Sequence, residues 1–250
     1  MSDAWSCPPE NLNLEKHEVH VWSVAVSDAA VCAECCGNLL SADERDRAAR
    51  FKFSTDRQRY VVAHAALRSI LARYLNVKAM ALQFSSGPQG KPKLAPPLNG
   101  SKLEFNLAHS NEVALVAVAQ EIEVGVDVEY VRQEFPFVEI AHRFFSSREV
   151  AALGALPSQF QRRAFYQCWT SKEAFLKAKG TGLSGKLDEV DIALTSEGVV
   201  RLRSTLPDWT LTELEVADDY AGALVVEGEP REATCYRWQG LMAECVHRQG

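Results

Sequence analysis

Two octapeptides decide the fold: His64-Ala65-Ala66-Leu67-Arg68-Ser69-Ile70-Leu71 (HAALRSIL) and Trp169-Thr170-Ser171-Lys172-Glu173-Ala174-Phe175-Leu176 (WTSKEAFL). Each sits inside a long helical pattern. The first runs from about Thr55 to Leu75, with Tyr60, His64, Leu67, Leu71 and Leu75 on one stripe, and the second from Gln159 to Lys179. What comes before them corresponds too. Arg50-Phe51 heads the first helix, and Arg143-Phe144-Phe145 precedes the second. At constant offset Arg68 falls opposite Glu173, so the second half carries an acid where the first carries a base.

Strand patterns flank both helices. Val19 to Val26 alternates apolar and polar residues, Leu103–Asn106 and Val113–Ala119 read as a hairpin around AHSNE, and Val124–Val131 reads as a strand. Thr210–Val216 and Ala221–Val226 give a second hairpin across ADDY, and Ile140–Leu153 is helical with a break at FFSS. A capping pattern at Ser41-Ala42-Asp43-Glu44 starts a helix in the first half, and Gly87 to Gly100 reads as a loop. The expectation is an α+β protein of two similar halves, residues 17–122 and 123–250, meeting near Ala119–Val124 and related by a pseudo-twofold axis. The active site is expected in the cleft between them, with the metal site on the second half. Residues 1–16 are expected to form a disordered leader.

Composition narrows the functional classes. A net charge of −6 and a pI near 5.6 argue against general nucleic-acid or anionic-membrane binding. No apolar run reaches the roughly 20 residues of a membrane span, and the N-terminus lacks a signal-peptide pattern, so a cytoplasmic location is expected. The seven cysteines are not spaced as a disulfide framework. Cys32, Cys35 and Cys36 form one C-x-x-C-C cluster without a second pair, which favours structural thiols over a metal site.

The chemistry gathers at two motifs. In Gly125-Val126-Asp127-Val128-Glu129, strand alternation puts Asp127 and Glu129 on one face, ~7 Å apart. Paired hard oxygen ligands suit Mg²⁺, and exposed strand acids are the ordinary alternative. In WTSKEAFLKAKGTG, Glu173 and Lys177 stand one helical turn apart, and a third acid would complete an acidic metal site. As a plain ion pair on an exposed helix they would contribute only ~0.3–0.5 kcal/mol. Gly180 and Gly182 end that helix. Phe105-Asn106-Leu107-Ala108-His109-Ser110, at the expected hairpin bend, and the basic turn Gly90-Lys91-Pro92-Lys93 are further candidates for holding phosphate. No G-x-x-x-x-G-K-[ST] phosphate loop is present, which argues against a nucleoside triphosphatase.

Together GVDVE and WTSKEAFLKAKGTG resemble the 4′-phosphopantetheinyl transferases of the surfactin type, with GKP, FN-x-x-HS and RFF in the family's order. The similarity runs from about Ser41 to Leu183. It implies transfer of the phosphopantetheine arm of coenzyme A to a serine of an apo acyl or peptidyl carrier protein, releasing 3′,5′-ADP, by a monomer. It implies Mg²⁺, with Mn²⁺ as the alternative, held by Asp127, Glu129 and Glu173. Glu173, or a water it orients, would take the serine proton, and Lys177 would stabilise the leaving phosphate. Arg45, Arg47, Lys91, Pro92, Asn106, His109, Ser110, Lys172 and Lys177 would contact coenzyme A. Arg143, Arg148, Arg162 and Arg163 are candidates for docking an acidic carrier. The chain departs from the family at Glu44, where some relatives have lysine, and at Ala108, the first serine of the usual S-H-S.

Overall fold

The structure, a computed structural model, describes residues 5–27, 33–87, 89–182, 187, 190, 192–194, 202–204, 208–229 and 233–241. In chain order the elements are β1 (Val19–Ala25), α1 (Ala33–Leu39), α2 (Ala42–Ala49), α3 (Ser54–Leu75), β2 (Phe84–Ser86), β3 (Pro92–Leu94), β4 (Leu103–Ser110) and β5 (Val113–Gln120). They continue with β6 (Val124–Tyr130), α4 (Phe137–Phe144), α5 (Ser147–Ala155), α6 (Ser158–Lys179), β7 (Ile192–Leu194), β8 (Leu202–Ser204), β9 (Trp209–Leu214), β10 (Tyr220–Glu227) and β11 (Thr234–Arg237). The fold is α+β, as the periodicities indicate.

Two sheets lie back to back. One has the order β11-β1-β5-β4 and the other β6-β10-β9. Strand alternation divides their side chains among three cores. Trp22, Val24, Ala114, Val116 and Val118 pack against α3. Val19, Val21, Leu115, Ala117 and Ala119 face the second sheet's Val124, Val126, Val128, Leu224 and Val226. Ala221, Ala223 and Val225 turn the other way, onto α6 with α4 and α5. The layers therefore run helix, sheet, sheet, helix. Strands buried on both faces need apolar residues at nearly every position, which is why β5 reads VALVAVAQ. Each fully buried Val or Leu contributes about 1.5–3 kcal/mol of transfer free energy.

A buried polar cluster occurs once in each half. Ser41 caps α2 and Ser146 caps α5 through the same reciprocal bonds with Glu44 and Glu149. Glu44 accepts from Arg68 Nε at 2.7 Å and pairs with His64 Nδ1 at 3.3 Å, and Arg68 Nη1 donates to the carbonyls of Ala79 (3.2 Å) and Leu82 (3.0 Å). Glu149 accepts from Lys172 Nζ at 2.8 Å and from Cys168 Sγ at 3.7 Å, and Lys172 Nζ donates to the carbonyls of Leu187 (2.7 Å) and Val190. Arg68 thus matches Lys172, and His64 matches Cys168. The constant-offset alignment is one residue out, because the segment from capping serine to long helix is one residue shorter in the second half. Ser69, not Arg68, stands opposite Glu173.

Other expectations also need correcting. Trp5, in the segment expected to be disordered, is buried and donates through Nε1 to Glu215 O at 2.6 Å, and Ser6 bridges Tyr236. The last strand, β11, leaves the second half to pair in parallel with β1, with His20 opposite Thr234. A parallel partner from the far end of the chain carries no local turn signal. The span 87–100 holds β3, which pairs with β2 to form a small hairpin. β4 runs on to Ser110, so His109 and Ser110 lie at a strand end and the turn falls at Asn111, whose φ is 50°.

Candidate active site

The site begins with how closely α6 lies on β6. A Cβ on Gly125 would fall 2.1 Å from Ala174 O and 2.3 Å from Ala178 N, so only glycine lets the helix backbone sit there. Asp127 and Glu129 follow at two-residue steps on the same face, while Val126 and Val128 enter the core between the sheets. On α6 the last turns carry Glu173 and Lys177, and Gly180 ends the helix in the left-handed conformation at φ 69°.

Three carboxyl groups thereby come within electrostatic reach of one another, Asp127 buried and Glu129 and Glu173 half-buried. Burial first, and then the neighbouring charge of Asp127, with Glu129 adding, push the Glu173 carboxyl up to about 7 against the pull of Lys177. Burial also raises Asp127, opposed by Lys177, and raises Glu129, reinforced by Asp127. Lys177 Nζ contacts Asp127 Oδ1 at 2.6 Å. Asp127 Oδ2 and Glu173 Oε1 are buried without a hydrogen-bond partner. Unpaired, hard oxygen atoms among like charges fit a divalent cation such as Mg²⁺. As the side chains stand, no three His, Cys, Asp or Glu groups among the described residues converge at ligand spacing, and Lys177 is the cation on Asp127.

The first half closes the site from the end of β4. Ser110 Oγ donates to Glu129 Oε2 at 2.8 Å and accepts from Tyr130 N at 3.1 Å, fixing the Glu129 carboxylate. Next to it, His109, exposed at the end of β4, is held below the ordinary histidine pKa, first by partial desolvation among its neighbours and then by the positive charge of His64, Lys177, Arg59 and Arg47. These cations come from α2, α3 and α6, and they make an anion-attracting rim beside the acids. Arg59 and His64 carry no motif that marks them as site residues in the sequence. His64 was visible only as a member of the α3 stripe, and Arg59, bonded through Nη2 to Asn111 Oδ1 at 2.7 Å, is placed by the turn after β4.

Several expected coenzyme A contacts are occupied elsewhere. Lys172 is fully buried on Glu149 and two carbonyls, which removes it from the ligand-binding set. The charge of this helical residue said nothing of which side of α6 it faces. Asn106 is buried and its Oδ1 accepts from Val126 N at 3.0 Å, tying β4 to β6 across the sheets. Lys91 Nζ donates to Glu123 Oε2 (2.7 Å), Val124 O (3.1 Å) and Ala178 O (3.0 Å), at the end of β6 away from Glu129. Pro92 opens β3 opposite Ser86. Arg45 Nη1 donates to Leu40 O at 2.6 Å, whereas Arg47 reaches the rim, 5.6 Å from the Tyr60 ring centre. Glu44, the departure from the family pattern, faces inward to Arg68. Of the docking candidates, Arg143 and Arg148 are exposed, while Arg162 and Arg163 donate to the carbonyls of Arg132 and Asp218. Cys32 lies outside the described residues, Cys35 is exposed and Cys36 is buried.

The chain is also similar to known proteins. Residues 123–225 match the 4′-phosphopantetheinyl transferase superfamily, and residues 22–121 match the 4′-phosphopantetheinyl transferase N-terminal family. The chain is 38% identical to the 4′-phosphopantetheinyl transferase HetI of Nostoc sp. over 228 residues, covering 91% of this chain and 95% of that protein. It is 32% identical to the 4′-phosphopantetheinyl transferase Sfp of Bacillus subtilis over 171 residues, 68% of this chain and 73% of that one. The solved holo-[acyl-carrier-protein] synthase of Thermotoga maritima aligns at 29% identity and a TM-score of 0.33, over 44% of this chain and 66% of that one. The chain belongs to the 4′-phosphopantetheinyl transferase family.

Proposed function

We propose that this enzyme transfers the 4′-phosphopantetheine arm of coenzyme A to a serine of an apo acyl or peptidyl carrier protein, in a reaction dependent on Mg²⁺, with Mn²⁺ as a substitute. The observation that carries the reading is that Asp127, Glu129 and Glu173 are electrostatic neighbours around Lys177, with two buried carboxylate oxygens, Asp127 Oδ2 and Glu173 Oε1, left without partners. A divalent cation held by these three acids would neutralise pyrophosphate charge and stabilise the developing oxyanion. The serine oxygen attacks the phosphorus that carries the pantetheine arm. The bond from that phosphorus to the bridging oxygen breaks, and 3′,5′-ADP departs with the electron pair.

The chain's own groups then have distinct tasks. Glu173, or a water it orients, takes the serine proton. Lys177 faces the leaving phosphate. His109, Ser110 and Arg47 hold coenzyme A phosphates from the first half. Ser110 also keeps Glu129 oriented. Arg143 and Arg148 are exposed candidates to meet an acidic carrier. The twin Glu44 and Glu149 clusters support two halves, 17–122 and 123–250, related by a pseudo-twofold axis, with β11 exchanged back to the first. A monomer working in the cytoplasm is part of the same reading. No helix among the described residues is long and apolar enough to cross a membrane.

The test is to incubate the protein with coenzyme A, Mg²⁺ and apo carrier protein and weigh the carrier. A mass gain of one phosphopantetheine, abolished by EDTA, is expected. No gain across acyl and peptidyl carriers overturns the reading.

A further inference from the structure

Lys177 stands between two tasks that it cannot perform together. Its Nζ lies 2.6 Å from Asp127 Oδ1, yet its side chain is 30% exposed against 6% for Asp127. The carboxylate is therefore fixed and dry, and the lysine has a way out to solvent. The ammonium contacts only one of the three carboxyl groups, and Asp127 Oδ2 and Glu173 Oε1 stay buried and unpaired. A single charge at that point balances the cluster only in part. The lysine stem is long and rotatable and springs from the last turn of α6, just before Gly180. Asp127, on a central stretch of β6 under the helix, has no comparable freedom.

We infer that Lys177 is an exchangeable counter-ion of the acidic cluster. It pairs with Asp127 while the cluster holds no divalent cation, and it turns outward to substrate phosphate once a cation takes its place on the carboxylates. The inference rests on the reading that Asp127, Glu129 and Glu173 hold such a cation. It carries a consequence that a plain phosphate-binding lysine would not have. Cation and Lys177 compete for Asp127, so removing the lysine tightens cation binding even though it removes a group that serves the reaction. The coupling is reciprocal: a bound cation frees the ammonium to the same degree. Lysine and cation are never both needed at Asp127, so one side chain partly balances the charge of the cation-free cluster and then supplies a donor to the loaded one.

The experiment measures Mn²⁺ binding to the intact protein without coenzyme A, by the paramagnetic resonance signal of free Mn²⁺, for wild type, Lys177→Met and Lys177→Arg. Lys177→Met should bind roughly tenfold or more tightly, since a positive charge close to the site has gone. Lys177→Arg keeps the charge and should stay within about threefold of wild type. Equal or weaker binding by Lys177→Met overturns the proposal. Should that variant not melt cooperatively, the wild-type chain answers instead. The Lys177 ammonium resonance, labelled with ¹⁵N, should shift saturably as Mg²⁺ is added, and an unmoved resonance overturns the proposal. If the functional reading itself is wrong, the pattern differs: neither wild type nor variant binds Mn²⁺ saturably, and no holo carrier is formed. Intact transfer by wild type with unaltered affinity in Lys177→Met overturns the counter-ion alone.

Discussion

Replacing Gly125 by alanine adds one methyl group and should disable the site without touching any of its charged residues. The added Cβ would lie 2.1 Å from Ala174 O, 2.3 Å from Ala178 N and 2.8 Å from Ala178 Cα, where ordinary contact begins at 3.4 Å. All three atoms belong to the α6 backbone, one turn apart, so no side chain can rotate away. The helix must withdraw from β6 by about 1 Å or more, against packing as dense as an organic crystal. There is little slack, because Ala174, Ala178 and Ala223, the small residues at the interface, are themselves fully buried. Overpacking of a core by a methylene costs about 1–3 kcal/mol where side chains can adjust. Here the backbone must move, and a loss of at least ~3 kcal/mol is expected from a total of about 5–15.

The displacement also separates the two parts of the acidic cluster. Asp127 and Glu129 ride on β6, and Glu173 and Lys177 on α6, so the shift that relieves Gly125→Ala opens the 2.6 Å pair of Lys177 with Asp127. A misplacement of ~1 Å is worth roughly a hundredfold in rate. Urea midpoints and carrier mass gain read the two effects. Gly154→Ala is the matched control, since nothing lies within 4 Å of a Cβ there and the residue is inside α5. It should gain about 0.5–1 kcal/mol from helix propensity. Gly125→Ala with wild-type midpoint refutes the packing argument. A destabilised Gly125→Ala with full transfer refutes the claim that the α6–β6 distance sets the geometry of the acids.

Other variants test separate links. Lys172→Met should cost about 3–5 kcal/mol in denaturant unfolding, because Glu149 is left buried without its cation, and a loss below ~1 kcal/mol would show the pair to be incidental. Glu173→Gln should lower transfer by roughly a hundredfold or more with an unchanged cooperative melt, and near-wild-type turnover would remove Glu173 from its role in proton transfer. Stability should fall in acid through Glu44. Burial alone would raise this carboxyl, but bonds from His64, the Ser41 amide and Arg68 outweigh it and bring it from 4.5 down to about 2. A depressed folded value means that the stabilisation is complete above pH 4.5 and is lost as the pH drops through 2, by about 2–3 kcal/mol after allowing for partial exposure. Glu44→Gln should flatten that part of the stability profile, and an equally steep loss in the variant would place the acid sensitivity elsewhere.

The limits of the sequence reading have physical causes. Period is a local property, so the alternation that puts Asp127 and Glu129 on the α6 side and Val126 and Val128 between the sheets was legible from GVDVE alone. The same holds for the capping box at Ser41, where donor and acceptor are three residues apart. Pairing between distant segments leaves no such mark. β11 joining β1 is invisible for that reason, and so is Asn106, which binds the Val126 amide in place of a ligand. Charge alone misleads most. Lys172 and Lys177 are both lysines of the last turns of α6 and both were expected at the ligand. Five residues on a helix turn the side chain by about 140°, which sends Lys172 into the Glu149 cluster and leaves Lys177 facing Asp127. Arg68 gives the independent check, since it occupies in the first half the place of Lys172, with Glu44 in place of Glu149 and a corresponding pair of carbonyls. A lysine with a counterpart in the half that lacks the acidic triad serves the scaffold. Lys177 has the triad's Asp127 as its partner, and its function is to be sought there.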